Sequence, residues 1–134
     1  MTAFVDTSAL LALLDAADAH HGAAVEAWTQ LALQATTLVT TSYVVVETTA
    51  VVQHRLGMEA VRALTGDILP LLEVSYVDAE VHNAATAALL AAGRRRLSLV
   101  DCASFQIMRR LRVETAFAFD RHFAEQGFGS VAGA

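Results

Sequence analysis

The sequence has a single cysteine, Cys102, a single proline and no lysine. One cysteine cannot form an intramolecular disulfide, and without paired cysteines or regularly spaced histidines we do not expect a zinc site. The apolar run at residues 9–14 ends at Asp15, well short of the roughly 18 residues that a membrane span needs. No basic segment precedes an apolar one at the N-terminus, so no signal peptide is expected. These absences predict a soluble cytoplasmic protein with no membrane partner.

Basic charge comes only from arginine, and it is unevenly distributed. The net charge of −5 argues by itself against a nucleic-acid-binding protein. However, six of the nine arginines lie between residues 94 and 112, and the planar guanidinium group pairs well with phosphate. Arg94, Arg95 and Arg96 are therefore candidate phosphate contacts. The alternative is that they form a solvated helix end.

The length and composition fit one folded unit. A chain of 134 residues can bury a core of its own, so we expect a single domain over residues 1–134. Hydrophobic residues make up 55% of the chain, much of it alanine and valine. This content is compatible with a helix-rich body that leaves an apolar patch for a partner or for a second copy of the chain.

Strand-like and helix-like segments alternate along the chain. The spacing of apolar residues and the turn residues predicts strands at 2–6, 36–41, 72–77 and 115–120. It predicts helices at 7–15, 21–34, 42–57, 58–71, 78–92 and 98–111, with a short helical turn at 121–126. Ser42 is the expected N-cap of the helix at 42–57. Such alternation indicates an α/β fold, a three-layer sandwich with a mostly parallel central sheet.

Four acidic residues stand in apolar surroundings. Asp6 and Asp120 each close a predicted strand, and ligands bind beyond the carboxyl ends of parallel strands. Glu47 lies on an apolar stripe with Val44 and Val51, where an ionised side chain needs a partner. Asp101 sits in the stretch SLVDCASF (98–105), three residues after Ser98. The alternative for each aspartate is a helix cap, and for Glu47 it is a position at the edge of the stripe.

Metal ions would explain these four positions together. No arginine is fixed near the acids by the pattern, and converging carboxylates repel one another unless a cation neutralises them. Hard oxygen ligands on a rigid α/β frame suit Mg²⁺ or Mn²⁺. Such a site supports metal-assisted hydrolysis of a phosphodiester. We expect Ser98 to cap its helix while Asp101 binds the ion.

Four motifs carry these acids in chain order: FVDTSALLALLD (4–15), VVVETTAVV (44–52), LSLVDCASFQIMRRL (97–111) and AFAFDRHF (116–123). Together they resemble the PIN-domain ribonucleases, in particular the VapC-type toxins of bacterial toxin–antitoxin pairs. The resemblance covers essentially the whole chain. Each motif is weak alone, but the four in order are specific.

The resemblance implies a single PIN-like nuclease domain that cleaves RNA with Mg²⁺ or Mn²⁺. It implies that Asp6, Glu47, Asp101 and Asp120 are the catalytic, metal-binding acids, with Glu47 a ligand directly or through water. Ser8 takes the position of a hydroxyl that hydrogen-bonds an acid of the site. The family further implies a homodimer and a cognate antitoxin, which contact the helix over 20–34 and the helices after the second strand.

Other functions stay open at this point. A housekeeping RNA-processing PIN nuclease would carry the same motifs. A signalling domain with an acidic pocket would need an acidic pair after the first strand and a lysine near the last one, and the sequence has neither. A non-catalytic interaction module would use the acids only as caps, which leaves Glu47 unexplained. His122, two residues after Asp120, is a possible contact to RNA phosphate.

Overall fold

In the computed structural model, which describes residues 1–131, five short strands form one parallel sheet. In chain order they are β1 (Thr2–Val5), β2 (Thr37–Thr41), β3 (Glu73–Ser75), β4 (Thr115–Phe117) and β5 (Gly129–Ser130). Their order across the sheet is β3-β2-β1-β4-β5, and each of the four pairings is parallel. The expected α/β class and parallel sheet are therefore confirmed.

Seven α-helices flank the sheet in the described part of the chain. They are α1 (Thr7–Leu14), α2 (His21–Leu33), α3 (Ser42–Leu56), α4 (Met58–Ala63), α5 (Ala79–Ala92), α6 (Leu99–Leu111) and α7 (His122–Glu125). A π-helical turn (Leu64–Ile68) and a 3-10 turn (Leu69–Leu71) continue α4. After β1, the next two strands are added on one side of it, first β2 and then β3. The chain then crosses to β4, which pairs with the other side of β1. Because parallel crossovers are right-handed, this reversal places helices on both faces of the sheet.

Several element boundaries differ from the sequence prediction, for local reasons. Thr41, not Ser42, caps α3: Thr41 is still extended, and its Oγ1 accepts a hydrogen bond from the Val44 amide at 3.1 Å. The Ser42 hydroxyl instead accepts a hydrogen bond from the Val77 amide, which lies outside the shortened β3. Strand β4 ends at Phe117, three residues before Asp120. The two-residue strand β5 has no periodicity to predict it.

The reversal of strand order lies between β1 and β4, at the centre of the sheet. Phe4, Val5 and Phe117 on these two strands are fully buried, so the centre of the sheet is rigid. In open parallel sheets, ligands bind outside the carboxyl ends of the strands at such a reversal. Asp6 follows β1 there directly. None of the helices found in residues 1–131 has the length and apolar character to cross a bilayer.

Candidate metal centre

Asp6 is fixed where β1 passes into α1. Its amide donates to the Phe117 carbonyl at 3.1 Å, which ties the end of β1 to the end of β4. Asp6 is also the N-cap of α1, and its Oδ2 accepts hydrogen bonds from the Ser8 amide at 3.1 Å and the Ser8 hydroxyl at 2.7 Å. Only 4% of Asp6 is exposed. The capping interpretation of Asp6 is therefore correct, and it leaves the second carboxylate oxygen for another partner.

Ser8 connects Asp6 to the segment that carries Asp120. Its hydroxyl donates to Asp6 and accepts a hydrogen bond from the Phe119 amide at 2.9 Å. Beyond Phe119, Oδ1 of Asp120 accepts from the His122 amide at 2.9 Å, which ties Asp120 to the first residue of α7. The chain thus leaves the sheet after Phe117 and turns Asp120 toward the carboxyl end of β1. The expected contact of Ser8 with an acid is confirmed.

Asp101 stands in the first turn of α6 and takes part in a complete capping box. The Ser98 hydroxyl accepts from the Asp101 amide at 3.0 Å, and Asp101 Oδ2 accepts from the Ser98 amide at 3.1 Å. The expectation that Ser98 alone would cap the helix is incomplete, because Asp101 caps it as well. Asp101 is 7% exposed and is held in one orientation by its own helix.

Glu47 extends from the second turn of α3 and is half-buried. The next residue, Thr48, is fully buried and donates a hydrogen bond from its hydroxyl to that of Thr7 at 3.0 Å. This bond fastens α3 to the start of α1, one residue from Asp6. Glu47 is therefore aligned by a buried contact between the two helices.

The four acids meet in one open cavity of about 320 Å³. It is lined by these acids together with Thr7, Ser8, Leu11, Val51, Arg55, Arg96 and Ser98. The volume is enough for cations with several waters, since one water occupies about 30 Å³ of liquid. The structure thus brings Asp6, Glu47, Asp101 and Asp120 to one cavity, while their catalytic and metal-binding roles stay predictions.

Burial and the neighbouring carboxylates raise the pKa values of two acids in the cavity. Burial raises the pKa of Asp6 to about 7, against the lowering effect of its hydrogen bonds from Ser8 and with further raising by Asp101 and Asp120. Burial also raises the pKa of Asp101, again with a contribution from Asp120. Within residues 1–131 no arginine forms an ion pair with any of the four acids. A cation bound between these acids would favour the ionised forms of Asp6 and Asp101.

A divalent cation fits this donor set. The ligands on offer are carboxylate oxygens on rigid elements, as Mg²⁺ and Mn²⁺ require. Ligand atoms of Asp101, Asp120 and His122 lie within 4.8 Å of one another, close enough to share an ion. Cys102, beside Asp101, is buried, and burial raises the pKa of its thiol, which does not favour a soft metal.

Of the three arginines predicted to meet phosphate, only Arg96 lines the cavity. Arg94 pairs with Glu125 at 2.9 Å, and Arg95 is exposed on the loop. Sequence reasoning missed Arg55, which follows Glu47 by eight residues on α3 and lines the same cavity. Helical spacing offered a signal, since Glu47, Val51 and Arg55 are four residues apart. The sequence predicts for His122 only a contact to RNA phosphate, whereas the structure places its ring next to Asp101 and Asp120.

The chain is similar in sequence to one family model and to several known proteins. The family model described as "PIN domain" matches residues 3–129. A "23S rRNA-specific endonuclease VapC20" of Mycobacterium tuberculosis is 35% identical over 129 residues, 96% of each chain. A "Ribonuclease VapC26" of the same species is 33% identical over 90% of this chain and 88% of the relative.

Solved structures share the fold. The crystal structure of Mycobacterium tuberculosis VapC20, described as a sarcin-ricin-loop-cleaving toxin, superposes with a TM-score of 0.84 at 32% identity over 96% of both chains. VapBC2 of Rickettsia felis, bound to a promoter DNA fragment, gives 0.70 at 15% identity over 97% of both chains. FitAcB of Neisseria gonorrhoeae gives 0.68 at 17% identity over 97% of this chain and 96% of the other. The last two similarities concern the fold alone.

Proposed function

The chain belongs to the PIN domain family, and from that premise we propose that it is a metal-dependent endoribonuclease, the toxin of a type II toxin–antitoxin pair. The observation that carries the proposal is the meeting of four acids, from the end of β1, α3, α6 and the loop after β4, in one cavity where no described arginine forms an ion pair with them. Residues 1–134 would form a single nuclease domain, in line with the family match over nearly the whole chain.

Each acid is proposed to have a role at the cation. Asp6, Asp101 and Asp120 would hold it directly, because all three are fixed by backbone hydrogen bonds. Glu47, on a helix and less buried, would bind it directly or through a water that attacks the phosphodiester. When bound, Mg²⁺ or Mn²⁺ neutralises charge on the phosphate and lowers the pKa of a water. Ser8 positions Asp6 and does not need to touch the substrate.

The two arginines of the cavity are proposed to bind the RNA backbone. Arg55 and Arg96 have no ion pair or hydrogen bond with another described residue, although both line a cavity with four acids. An unpaired guanidinium group is free to bind phosphate with its planar fork. Arg94 and Arg95 are weaker candidates, because Arg94 would first have to leave Glu125.

Partners and compartment follow from the same proposal. A toxin acting on cellular RNA works in the cytoplasm, where one unpaired, buried cysteine is stable in its reduced form. A cognate antitoxin would hold it in check. We further propose a homodimer. Exposed apolar side chains near the edge strand β3, among them Val46, Leu71 and Tyr76, offer surface for one of these partners.

The test starts with purified protein and ribosomal RNA, chosen because one relative is named for cleaving 23S rRNA. We expect defined cleavage with Mg²⁺ or Mn²⁺ and none with EDTA. Induction of the gene in cells should stop growth, and co-induction with its neighbouring gene should restore it. Cleavage without growth arrest would identify a housekeeping RNA-processing nuclease, while the absence of any metal-dependent cleavage would refute the nuclease.

A further inference from the structure

His122 is a buried histidine at the start of α7, next to the acid cavity. It is 7% exposed, and its ring lies between two carboxylates. Nε2 is 3.8 Å from Asp120 Oδ1, while Nδ1 is 3.9 Å from Glu125 Oε2. Both distances exceed a hydrogen bond, so neither carboxylate satisfies the ring. Buried polar groups normally have a partner, and a missing one needs an explanation.

The unsatisfied atom is on the ring itself. Nδ1 is inaccessible to solvent and has no hydrogen-bond partner in the described chain. Its neighbour Glu125 is held by Arg94 at 2.9 Å and by Arg121 at 3.4 Å, so this carboxylate has a fixed position. A small rotation of the imidazole would bring Nδ1 within hydrogen-bonding distance of Glu125. Nε2, on the opposite side of the ring, is the nitrogen near Asp120.

This arrangement is that of a metal-binding histidine. A ligand histidine binds the ion through one ring nitrogen and donates its other N–H to a carboxylate, which fixes the ring. We propose, on the basis of the proposed nuclease function, that His122 Nε2 is a nitrogen ligand of the cation held by Asp101 and Asp120, with Glu125 as its positioning carboxylate. The ligand atoms of these three residues already lie within 4.8 Å of one another.

The consequence is a preference among cations. Mg²⁺ takes oxygen ligands almost exclusively, whereas first-row transition ions accept imidazole nitrogen readily. A site that adds one imidazole to these carboxylates therefore binds Mn²⁺ in preference to Mg²⁺. The four acids alone would not predict this selectivity. The proposal also assigns a function to the ion pair between Arg94 and Glu125, which keeps the Glu125 carboxylate beside His122.

The direct test is pulsed electron paramagnetic resonance of Mn²⁺ bound to the wild-type protein. A coordinated imidazole gives nitrogen modulation in the echo, and labelling the histidines with ¹⁵N must change its pattern. If Mn²⁺ binds and RNA is cut but the echo shows no histidine nitrogen, the ligand assignment is overturned and the nuclease stands. If the wild type binds no Mn²⁺, both proposals fail.

Variants identify which histidine supplies the nitrogen ligand, and the measurements are of metal binding and not of activity. In His122→Gln, calorimetry should show about tenfold or greater loss of Mn²⁺ affinity with a much smaller change for Mg²⁺, and the nitrogen modulation should vanish. Glu125→Gln should weaken Mn²⁺ binding less and keep the modulation. His54→Gln, an exposed histidine on α3, is the matched control and should change nothing. Equal losses for Mn²⁺ and Mg²⁺ in His122→Gln would overturn the assignment, as would modulation that persists there.

Discussion

Asp101 and Ser98 exchange hydrogen bonds at the start of α6: the Ser98 hydroxyl accepts from the Asp101 amide at 3.0 Å, and Asp101 Oδ2 accepts from the Ser98 amide at 3.1 Å. No hydrogen bond to Oδ1 of Asp101 is found within residues 1–131. One carboxylate oxygen therefore fixes the helix start, and the other is available to the cavity. The structural and the functional interpretations of this aspartate are compatible.

The first prediction is that substitutions separate the two roles of Asp101, as a helix cap and as a metal ligand. Asp101→Asn keeps an oxygen that can accept from the Ser98 amide, so the free energy of unfolding of the metal-free protein should fall little or even rise. RNA cleavage should be lost, because the charge is gone. Ser98→Ala should lower the free energy of unfolding by about 1 kcal/mol, the usual value of an N-cap, and leave much of the cleavage. Urea unfolding and cleavage rates measure the two effects. Wild-type cleavage by Asp101→Asn would contradict the assignment.

The pH dependence of stability is the second prediction. Burial raises the pKa of Asp6 from 3.8 to about 7, so between these pH values the folded chain holds a proton that the unfolded chain releases. This contribution to stability is complete below the unfolded pKa and is lost as pH rises through about 7. The metal-free protein should therefore unfold more easily at pH 8 than at pH 5, by about 1.4 kcal/mol for each pH unit between 5 and the folded pKa of about 7.

Urea unfolding in EDTA across this pH range tests the prediction. Asp6→Asn should flatten most of the dependence, and Asp101 should contribute the remainder in the same direction. Saturating Mn²⁺ should restore stability at pH 8, since a ligand that binds only the folded state stabilises it. If the metal-free wild type becomes more stable as pH rises from 5 to 8, Asp6 does not hold an extra proton in the folded chain and the prediction is wrong.

The third prediction concerns Ser8. Its loss removes a donor to Asp6 and leaves the Phe119 amide without its acceptor, so Ser8→Ala should lower the free energy of unfolding by about 1–3 kcal/mol. It should also slow cleavage, because Asp6 and the segment before Asp120 lose their link. Ser104→Ala is the matched control: that buried hydroxyl bonds only the Val100 carbonyl within α6. Equal losses of activity in the two variants would contradict a positioning role for Ser8.

The fourth prediction concerns Arg55 and Arg96. If each contacts one phosphate, Arg55→Gln and Arg96→Gln should each reduce the salt dependence of single-stranded RNA binding, by about 0.7 in the logarithmic slope. Arg62→Gln is the control, because Arg62 is exposed on α4 and does not line the cavity. Fluorescence anisotropy at several salt concentrations measures the slope. An unchanged slope in both variants would exclude these phosphate contacts.

The sequence was sufficient for the fold because the determining signals are local. Alternating strands and helices are present in the structure as predicted, and α5 is bounded by local signals, the Asp78 cap at its start and Gly93 at its end. Where the prediction failed, a distant residue decides the local structure. The Val77 amide bonds Ser42, and the Phe119 amide bonds Ser8, so both flanking segments leave the sheet early.

The same distinction between local signals and distant contacts applies to the residues of the site. The four acids could be found because each is a charge in an apolar setting, and their order matches a family. For Arg55 the helical spacing from Glu47 is a weak signal, and for the placement of His122 there is none, since a histidine in a short turn is ordinary in sequence. The packing of α3 against α1 accompanies Arg55 at the cavity, and the packing of α7 against β5 accompanies His122 beside Asp101 and Asp120.

The most direct test of the whole account is single-turnover cleavage of a defined RNA with saturating Mn²⁺. We compare the wild type with Asp6→Asn, Glu47→Gln, Asp101→Asn and Asp120→Asn, and with Asp67→Asn, an exposed acid away from the cavity, as the control. Each variant of the four acids should be slowed by about 100-fold or more, as expected for loss of metal-assisted charge stabilisation, while Asp67→Asn keeps the wild-type rate. Undiminished cleavage by the aspartate variants, or by the wild type in EDTA, would contradict the account.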